Sequence, residues 1–385
     1  MRPNLKLEWV VGLSYNIKVI SVFQPFVRTE EVLDELRTVF NSGWIGMGPK
    51  VEEFEEKICK QVGSDYFVAT NSCTAALHLS LKVLNLPEKS IVLTSPVTCP
   101  APNSIIINEG HAPLFYDIDR TGNINLDWLE DNIRVYHKAI IVCHYGGYSC
   151  DMTRLEKICK EYDVKIIEDC AHAFGGTYEG KPIGSSNNLC CFSFDYLKNM
   201  TTVDGGGVAT SNPDYARRIK EMSWWGGTKH TYKRVGKEKI DFDYDIVEPG
   251  YKYHMNDVNA AIGLVQLRHL KRDNAQRKLI AYKYQNEIKN LEHPKYENNR
   301  ESSYHLYPLF SNKKDELITY LNKNKIKPGH HYPRNDYYSA FWRFRDSKLT
   351  GVKDFCDKQL TLPIHPGLDM VNVDYIINKV NNFSK

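Results

Sequence analysis

Five short apolar runs, at positions 91–94, 113–116, 139–143, 164–168 and 189–194, are separated by segments whose apolar residues recur at helical spacing. Few folds suit such a chain. Parallel strands need a long crossover between them, and a helix is the usual one. Near-continuous apolar runs signal strands buried on both faces. The alternation therefore predicts an α/β fold, a mostly parallel sheet flanked by helices. Local signatures mark the helices. Val51, Phe54 and Ile58 follow Gly48-Pro49; Ala76, Leu77, Leu79, Ser80 and Leu84 follow Asn71-Ser72; a third helix is expected over 153–162. In such a sheet ligands gather at the carboxyl ends of the strands, and the polar residues of interest fall there.

A chain of 385 residues exceeds one small core, which points to a main domain and a smaller one. The expected division is an N-terminal extension over 1–20, a large domain over 21–264 and a small α+β domain over 265–385. Residues 224–253 are rich in aromatics, lysines and glycines without clean periodicity, and read as a long structured loop at an active site or interface. A helix over about 255–270 should follow.

Composition narrows the partners. Lys+Arg number 50 against Asp+Glu 47, a net charge of +3, so no nucleic-acid or anionic-membrane partner is indicated. Arg217, Arg218 and Lys220 read as a solvated helix face. The apolar stretch 9–23 is interrupted by Ser14, Asn16 and Lys18 and is too short and polar to span a bilayer. Ten cysteines form no CxxC pair and no zinc-finger spacing, so no metal is expected. Scattered thiols without a secretion signal suit a reducing, cytoplasmic setting.

Three segments could carry chemistry. The buried-strand run Val-Lys-Ile-Ile-Glu-Asp (164–169) stops in two carboxylates; Asp169 could be a helix cap or turn residue, or could face a cationic ligand group. In Phe-Ser-Phe-Asp-Tyr-Leu-Lys-Asn-Met-Thr-Thr-Val-Asp-Gly-Gly-Gly (192–207) a single lysine, Lys198, lies between apolar strands and a triple glycine. Lysines are ordinarily surface charges, but one drawn partly out of water becomes a usable amine nucleophile. Asn-Ser-Cys-Thr-Ala-Ala-Leu (71–77) opens a helix with small hydroxylated residues. Free N–H groups there, with Ser72 and Thr74, make a phosphate site or an ordinary cap equally well. Pyridoxal 5′-phosphate (PLP) needs a phosphate cup, a carboxylate for its pyridinium nitrogen and a lysine for its aldehyde. The chain supplies them in that order.

On these residues the sequence resembles the DegT/DnrJ/EryC1/StrS family of PLP-dependent sugar aminotransferases, from about residue 20 onward. The blocks are Gly43-Trp44 to Gly48 with Phe54-Glu55, then 71–77, 168–175, 193–206, 250–267 and Leu362-Pro363-Ile364-His365. The resemblance implies a fold-type I enzyme. Lys198 would be the Schiff-base lysine and proton shuttle, and Asp169 the partner of the pyridinium nitrogen. His172 would lie beside the ring and its 3′-oxygen. Ser193, Thr74 and the Cys73 backbone would hold the phosphate, and Cys99 stands where many members stack an aromatic on the ring. Asp204 replaces a commoner Glu and His254 a frequent Arg or Asn. Lys252 stands where many members have Asn, in a loop that approaches the partner's coenzyme phosphate. The run 330–335 resembles a substrate-facing stretch, with His331 and Arg334 as candidates, Arg334 for a substrate phosphate. The implied reaction moves an amino group from L-glutamate to a keto sugar, nucleotide-linked, in a homodimer.

Four alternatives stand beside it. A small phosphorylated ketone could be the acceptor. Sugar 3-dehydratases of the same fold carry His at the lysine position, against Lys198. A regulatory protein that had lost catalysis would not need Lys198, Asp169 and Ser193 together. A dinucleotide-binding fold lacks its G-x-G-x-x-G.

Overall fold

The computed structural model describes residues 19–235 and 240–383; most of the expected N-terminal extension, 1–18, and residues 236–239 of the long loop lie outside them. A seven-stranded sheet organises the large domain. Its spatial order is Tyr66–Thr70, Gly206–Thr210, Leu189–Ser193, Lys165–Asp169, His137–Cys143, Ile91–Thr94 and Ala112–Phe115. Only Gly206–Thr210 is antiparallel to its neighbours; the other pairings are parallel. Six strands thus end on one edge of the sheet, at Thr70, Ser193, Asp169, Cys143, Thr94 and Phe115, and the seventh begins there at Gly206.

Alternating strand residues bury against opposite helix layers, as the pleat requires. Ala139 and Ile141 pack with Val68, Ile167 and Val208 under the helices Cys73–Val83, Ala101–Asn108 and Pro213–Ser223. Ile140 and Val142 face the other way, toward Leu126–Asn132 and Met152–Glu161. On that same side Phe67, Ala69 and Phe192 meet Pro49–Val62 and the first half of Asp257–Glu287. The fold is the expected fold-type I α/β arrangement.

Two features bear on the expected domain limits. The helix expected over 255–270 runs from Asp257 to Glu287 without a break, so residues 264 and 265 lie inside one helix. From Leu270 onward it buries Leu270, Asp273, Arg277, Ile280, Ala281 and Tyr284. That stripe has helical spacing, but two of its positions are charged, which hides the apolar period. Asp273 is buried because Arg28 grips both carboxylate oxygens at 2.6 and 2.5 Å. Arg277 donates to the Ile364 carbonyl at 2.8 Å. Secondly, Ile20–Ser21 pairs in parallel with Ile326–Lys327, and Ile20 sits in the small-domain core with Tyr284, Leu309, Leu321, Leu362 and Ile376. The chain therefore begins its described course in the small domain and crosses to the large one, where the expected division began the large domain at 21. The small domain's other pair, Tyr307–Phe310 with Gln359–Leu362, is antiparallel. Among the described residues no helix is long and apolar enough to cross a membrane.

Candidate active site

The strand Leu189–Ser193 delivers Ser193 to the sheet edge, in register with Gly206 on the neighbouring strand. Gly206 is in turn in register with Thr70. Between the two strands the chain makes the turn that carries Lys198. The turn is held at every stage. Lys198 N–H donates to the Asp195 carbonyl at 3.0 Å, Thr202 N–H to Phe194 at 2.9 Å and Phe194 N–H to Gly205 at 2.8 Å. Asn259, in the first turn of Asp257–Glu287, donates to the Thr202 and Asp204 carbonyls at 2.7 and 2.8 Å. The Asp204 side chain itself is exposed.

Gly206 explains why the glycines are there. A Cβ on it would lie 2.5 Å from Cys73 N and from the Ser72 carbonyl carbon, and 2.7 Å from Phe192 O. The start of the helix Cys73–Val83 thus lies directly over the strand. Ser72 caps it by accepting the Ala75 N–H at 3.1 Å. The Cys73 and Thr74 N–H groups lie at the helix mouth, ahead of the intrahelical ladder, where an anion is favoured.

Asp169 ends its strand next to Cys143 and Cys191. Its buried carboxylate receives the Ala171 N–H at 3.1 Å. Burial pushes its pKa up, and the Ala171 N–H and the Lys198 charge only partly offset this. A cation against the remaining oxygen would relieve that penalty. Behind it, the Cys150 N–H points at His144 Nδ1 at 3.1 Å, which puts the ring proton on Nε2, 2.9 Å from Glu168. Glu168 also takes hydrogen bonds from Ser186 and Asn188. His144, Glu168 and Cys170 are close enough to hold a metal, but both imidazole nitrogens are already engaged.

His172 lies 3.4 Å from the Gly146 N–H through Nδ1, so Nε2 carries the proton and donates it to the Tyr332 hydroxyl at 3.0 Å. Its ring stacks on His305, centroids 4.5 Å apart. His305 Nδ1 lies 3.2 Å from Asn199 Oδ1. Asn199 donates both amide hydrogens, to Asn274 and to the Ser303 carbonyl, so its oxygen is the acceptor and His305 donates from Nδ1. Burial first, then neighbouring charges including Lys198, hold His172 and His305 well below the usual imidazole range. The same causes hold His331 at about 4. All three are neutral at neutral pH.

The structure thus gathers Lys198, Asp169, His172, Ser193, His331 and the Cys73–Thr74 helix start. Cys99 lies on the loop beneath Tyr332; its neighbours Pro96 and Thr98 accept hydrogen bonds from Asn335 at 2.8 and 3.0 Å. Cys99 is exposed. Lys252 packs its ammonium over Trp225 and Trp224, 4.2 and 4.9 Å from the ring centroids, and its carbonyl accepts from Asn71 at 3.2 Å. His254 rests on Trp224. Arg334 is held within its own loop. Its guanidinium is buried and bound through two nitrogens to Asp336, at 3.0 and 2.6 Å, with a third contact to the Asp346 carbonyl at 3.2 Å. A guanidinium so neutralised clasps its own loop. Sequence reasoning missed His305, Asn199 and Phe23, and placed Tyr332 only within the run 330–335. Phe23 stacks on His305 at 5.3 Å and meets His331 edge-on at 5.1 Å. No local motif marks His305; its position is fixed by Ser303, whose hydroxyl donates to the His172 carbonyl at 2.6 Å.

Comparison with known proteins places the family and the fold. The model of the DegT/DnrJ/EryC1/StrS aminotransferase family matches residues 27–381. An uncharacterised protein of Methanocaldococcus jannaschii is 36% identical over 371 residues, 93% of this chain and 96% of its own length. The spore coat polysaccharide biosynthesis protein SpsC of Bacillus subtilis is 33% identical over 378 residues, 94% and 96% of the two chains. The crystal structure of the sugar aminotransferase CalS13 from Micromonospora echinospora superposes with a TM-score of 0.87 at 28% identity, covering 94% of this chain and 99% of that one.

Proposed function

The chain belongs to the DegT/DnrJ/EryC1/StrS aminotransferase family, a family of PLP-dependent sugar aminotransferases, and from that premise we propose that it transfers the amino group of L-glutamate to a nucleotide-linked 4-keto-6-deoxy sugar for surface-glycan or related amino-sugar biosynthesis. The observation that carries this reading is the meeting at one sheet edge of Lys198, a buried Asp169 that burial makes receptive to a cation, and a helix start pressed against Gly206. These residues fit PLP. When bound, PLP supplies an electrophilic carbon for amines and an electron sink. The Cys73 and Thr74 N–H groups and the Ser193 hydroxyl bind its phosphate. Asp169 holds the proton on its pyridine nitrogen, and His172 with Tyr332 borders its ring. Lys198 would hold the coenzyme through its Nζ and, as a free amine, would carry the proton at the reacting carbon.

The keto-sugar part rests on the groups around the lysine. His172, His305, His331 and Tyr332 are neutral hydrogen-bonding rings, and Arg334 is neutralised by Asp336. Such walls suit the hydroxyls of a sugar ring. The relatives' names, sugar aminotransferase and spore coat polysaccharide biosynthesis, point the same way. The proposal includes a cytoplasmic homodimer. The loop 224–253 exposes Trp225, Ile240, Phe242, Ile246 and Val247, an apolar set that a second copy would cover, with Lys252 at its base.

The test is optical. The purified protein given PLP should show a visible absorption band that L-glutamate removes and that Lys198→Ala lacks. Amination of the 4-keto-6-deoxy sugars of UDP, GDP and dTDP then identifies the acceptor. A protein that stays colourless with PLP overturns the reading.

A further inference from the structure

Residues 19–28 form a strap from the small domain to the large one, and its fastening exceeds what a connector needs. Ile20 N–H donates to Lys325 at 2.9 Å, and Ile364 N–H donates to the Val22 carbonyl at 3.4 Å. Gln266 donates to the Phe26 carbonyl at 2.9 Å, and the Arg28–Asp273 pair closes the far end. Midway, the half-buried Phe23 ring meets two imidazoles of the site. It lies parallel to His305, 18° between planes, and edge-on to His331. Phe23, His305 and His172 therefore form a continuous column of rings, with Tyr332 beyond His172 at 5.8 Å.

The nitrogens of that column differ in availability. Asn199 takes the His305 Nδ1 proton, which leaves Nε2 with an open lone pair. His331 Nδ1 is 2.7 Å from Thr361 Oγ1, so its own Nε2 is the nitrogen left for a ligand. Two imidazole nitrogens beside an apolar ring match one chemistry: a pyranose, whose hydroxyls hydrogen-bond sideways and whose C–H face or methyl packs on an aromatic surface. L-Glutamate and 2-oxoglutarate, short and twice carboxylated, gain nothing from such a ring.

We propose that Phe23 is a specificity-determining residue for the amino acceptor, its ring packing on the apolar face of the sugar while His305 and His331 take hydroxyls. This rests on the keto-sugar reading above. The strap makes the small domain's N-terminal strand part of the acceptor pocket.

The experiment uses the full chain loaded with pyridoxamine phosphate, mixed with the three 4-keto-6-deoxy sugar nucleotides or with 2-oxoglutarate as the small control. Phe23→Ala should slow reaction with the accepted sugar about tenfold or more, through KM, as the loss of one pocket group does. Reaction with 2-oxoglutarate should stay within about threefold. Phe23→Leu, which keeps most of the volume and guards against misfolding, should fall between. Calorimetric affinity of the coenzyme-free protein for the same sugar nucleotide should drop in parallel. Equal losses on both substrates would make Phe23 a mere prop for His305 and overturn the inference, as would an unchanged sugar reaction. If the unaltered protein reacts with 2-oxoglutarate but with none of the three sugars, the keto-sugar reading fails first and carries this one with it.

Discussion

Replacing Gly206 by Ala tests the phosphate cup without touching a functional side chain. The new Cβ would stand 2.5 Å from Cys73 N and Ser72 C and 2.7 Å from Phe192 O. All three are backbone atoms, so no side chain can swing aside. Ordinary contact needs about 3.4 Å or more, and the helix start must retreat by roughly 1 Å. Overpacking of this kind costs about 1–3 kcal/mol of stability. The retreat also carries the Cys73 and Thr74 N–H groups away from the phosphate. A hydrogen bond stretched from about 2.9 to nearly 4 Å is lost, and one charge-assisted bond is worth about 1.5–3 kcal/mol. PLP affinity should therefore fall by about tenfold to a hundredfold. Urea unfolding of coenzyme-free protein reads the first effect, and fluorescence titration with PLP reads the second. Gly46→Ala, where an added Cβ meets nothing within 4 Å, is the control and should change neither. If Gly206→Ala binds PLP as tightly as Gly46→Ala does, the helix start is not the phosphate site.

Further outcomes follow from single contacts. Burial raises the Asp169 pKa, and a carboxyl whose folded pKa is raised destabilises the fold increasingly as pH rises through that value; Asp169→Asn should therefore stabilise coenzyme-free protein at pH 7, by thermal melting, while abolishing most transamination. Glu168 is the opposite case: burial opposes its ionisation, but hydrogen bonds from His144, Ser186 and Asn188 win and lower its pKa. Its contribution is full above the ordinary glutamate range of about 4.3 and is lost as pH falls through the depressed value, so Glu168→Gln should flatten the acid limb of the stability curve. Arg334→Ala strands the buried Asp336 carboxylate and should cost about 3–5 kcal/mol, a melting-temperature effect, whereas a substrate-phosphate role would appear as a KM effect on a stable protein. Val203 is exposed and held at φ 75°, a left-handed conformation costing a branched residue about 1–2 kcal/mol; Val203→Gly should raise the urea midpoint, and no change would mean the turn is unstrained.

Several elements were legible because their cause is local. The strand runs are largely apolar segments of four to six residues, and two of them end at candidate site residues, Asp169 and Ser193. Asp169 and Lys198 were found because a carboxylate pair closing a buried strand and a lone lysine beside three glycines are unusual within a few residues. The long helix was underestimated because Asp273 and Arg277 interrupt its apolar stripe, each balanced by a partner far away in sequence: Arg28 and the Ile364 carbonyl. The Arg334 pairing was not legible for the reverse reason. Its partner Asp336 is only two residues on, but the pairing depends on a loop conformation that no periodicity encodes.

By itself the sequence determined the α/β class, the family resemblance and the positions of Lys198, Asp169, Ser193 and the 71–77 helix start, since each is written in contiguous residues whose spacing matches the element that presents them. Only the tertiary structure decided which side chains join them. Phe23, His305 and Tyr332 are about 175, 107 and 134 positions from Lys198 along the chain, and they meet near it because the strap, the Ser303–His172 contact and the Asn335 anchor fold distant segments onto one sheet edge. Hydrogen-bond geometry and burial, which exist only after that folding, fixed the histidines as neutral rings and Arg334 as a clasp.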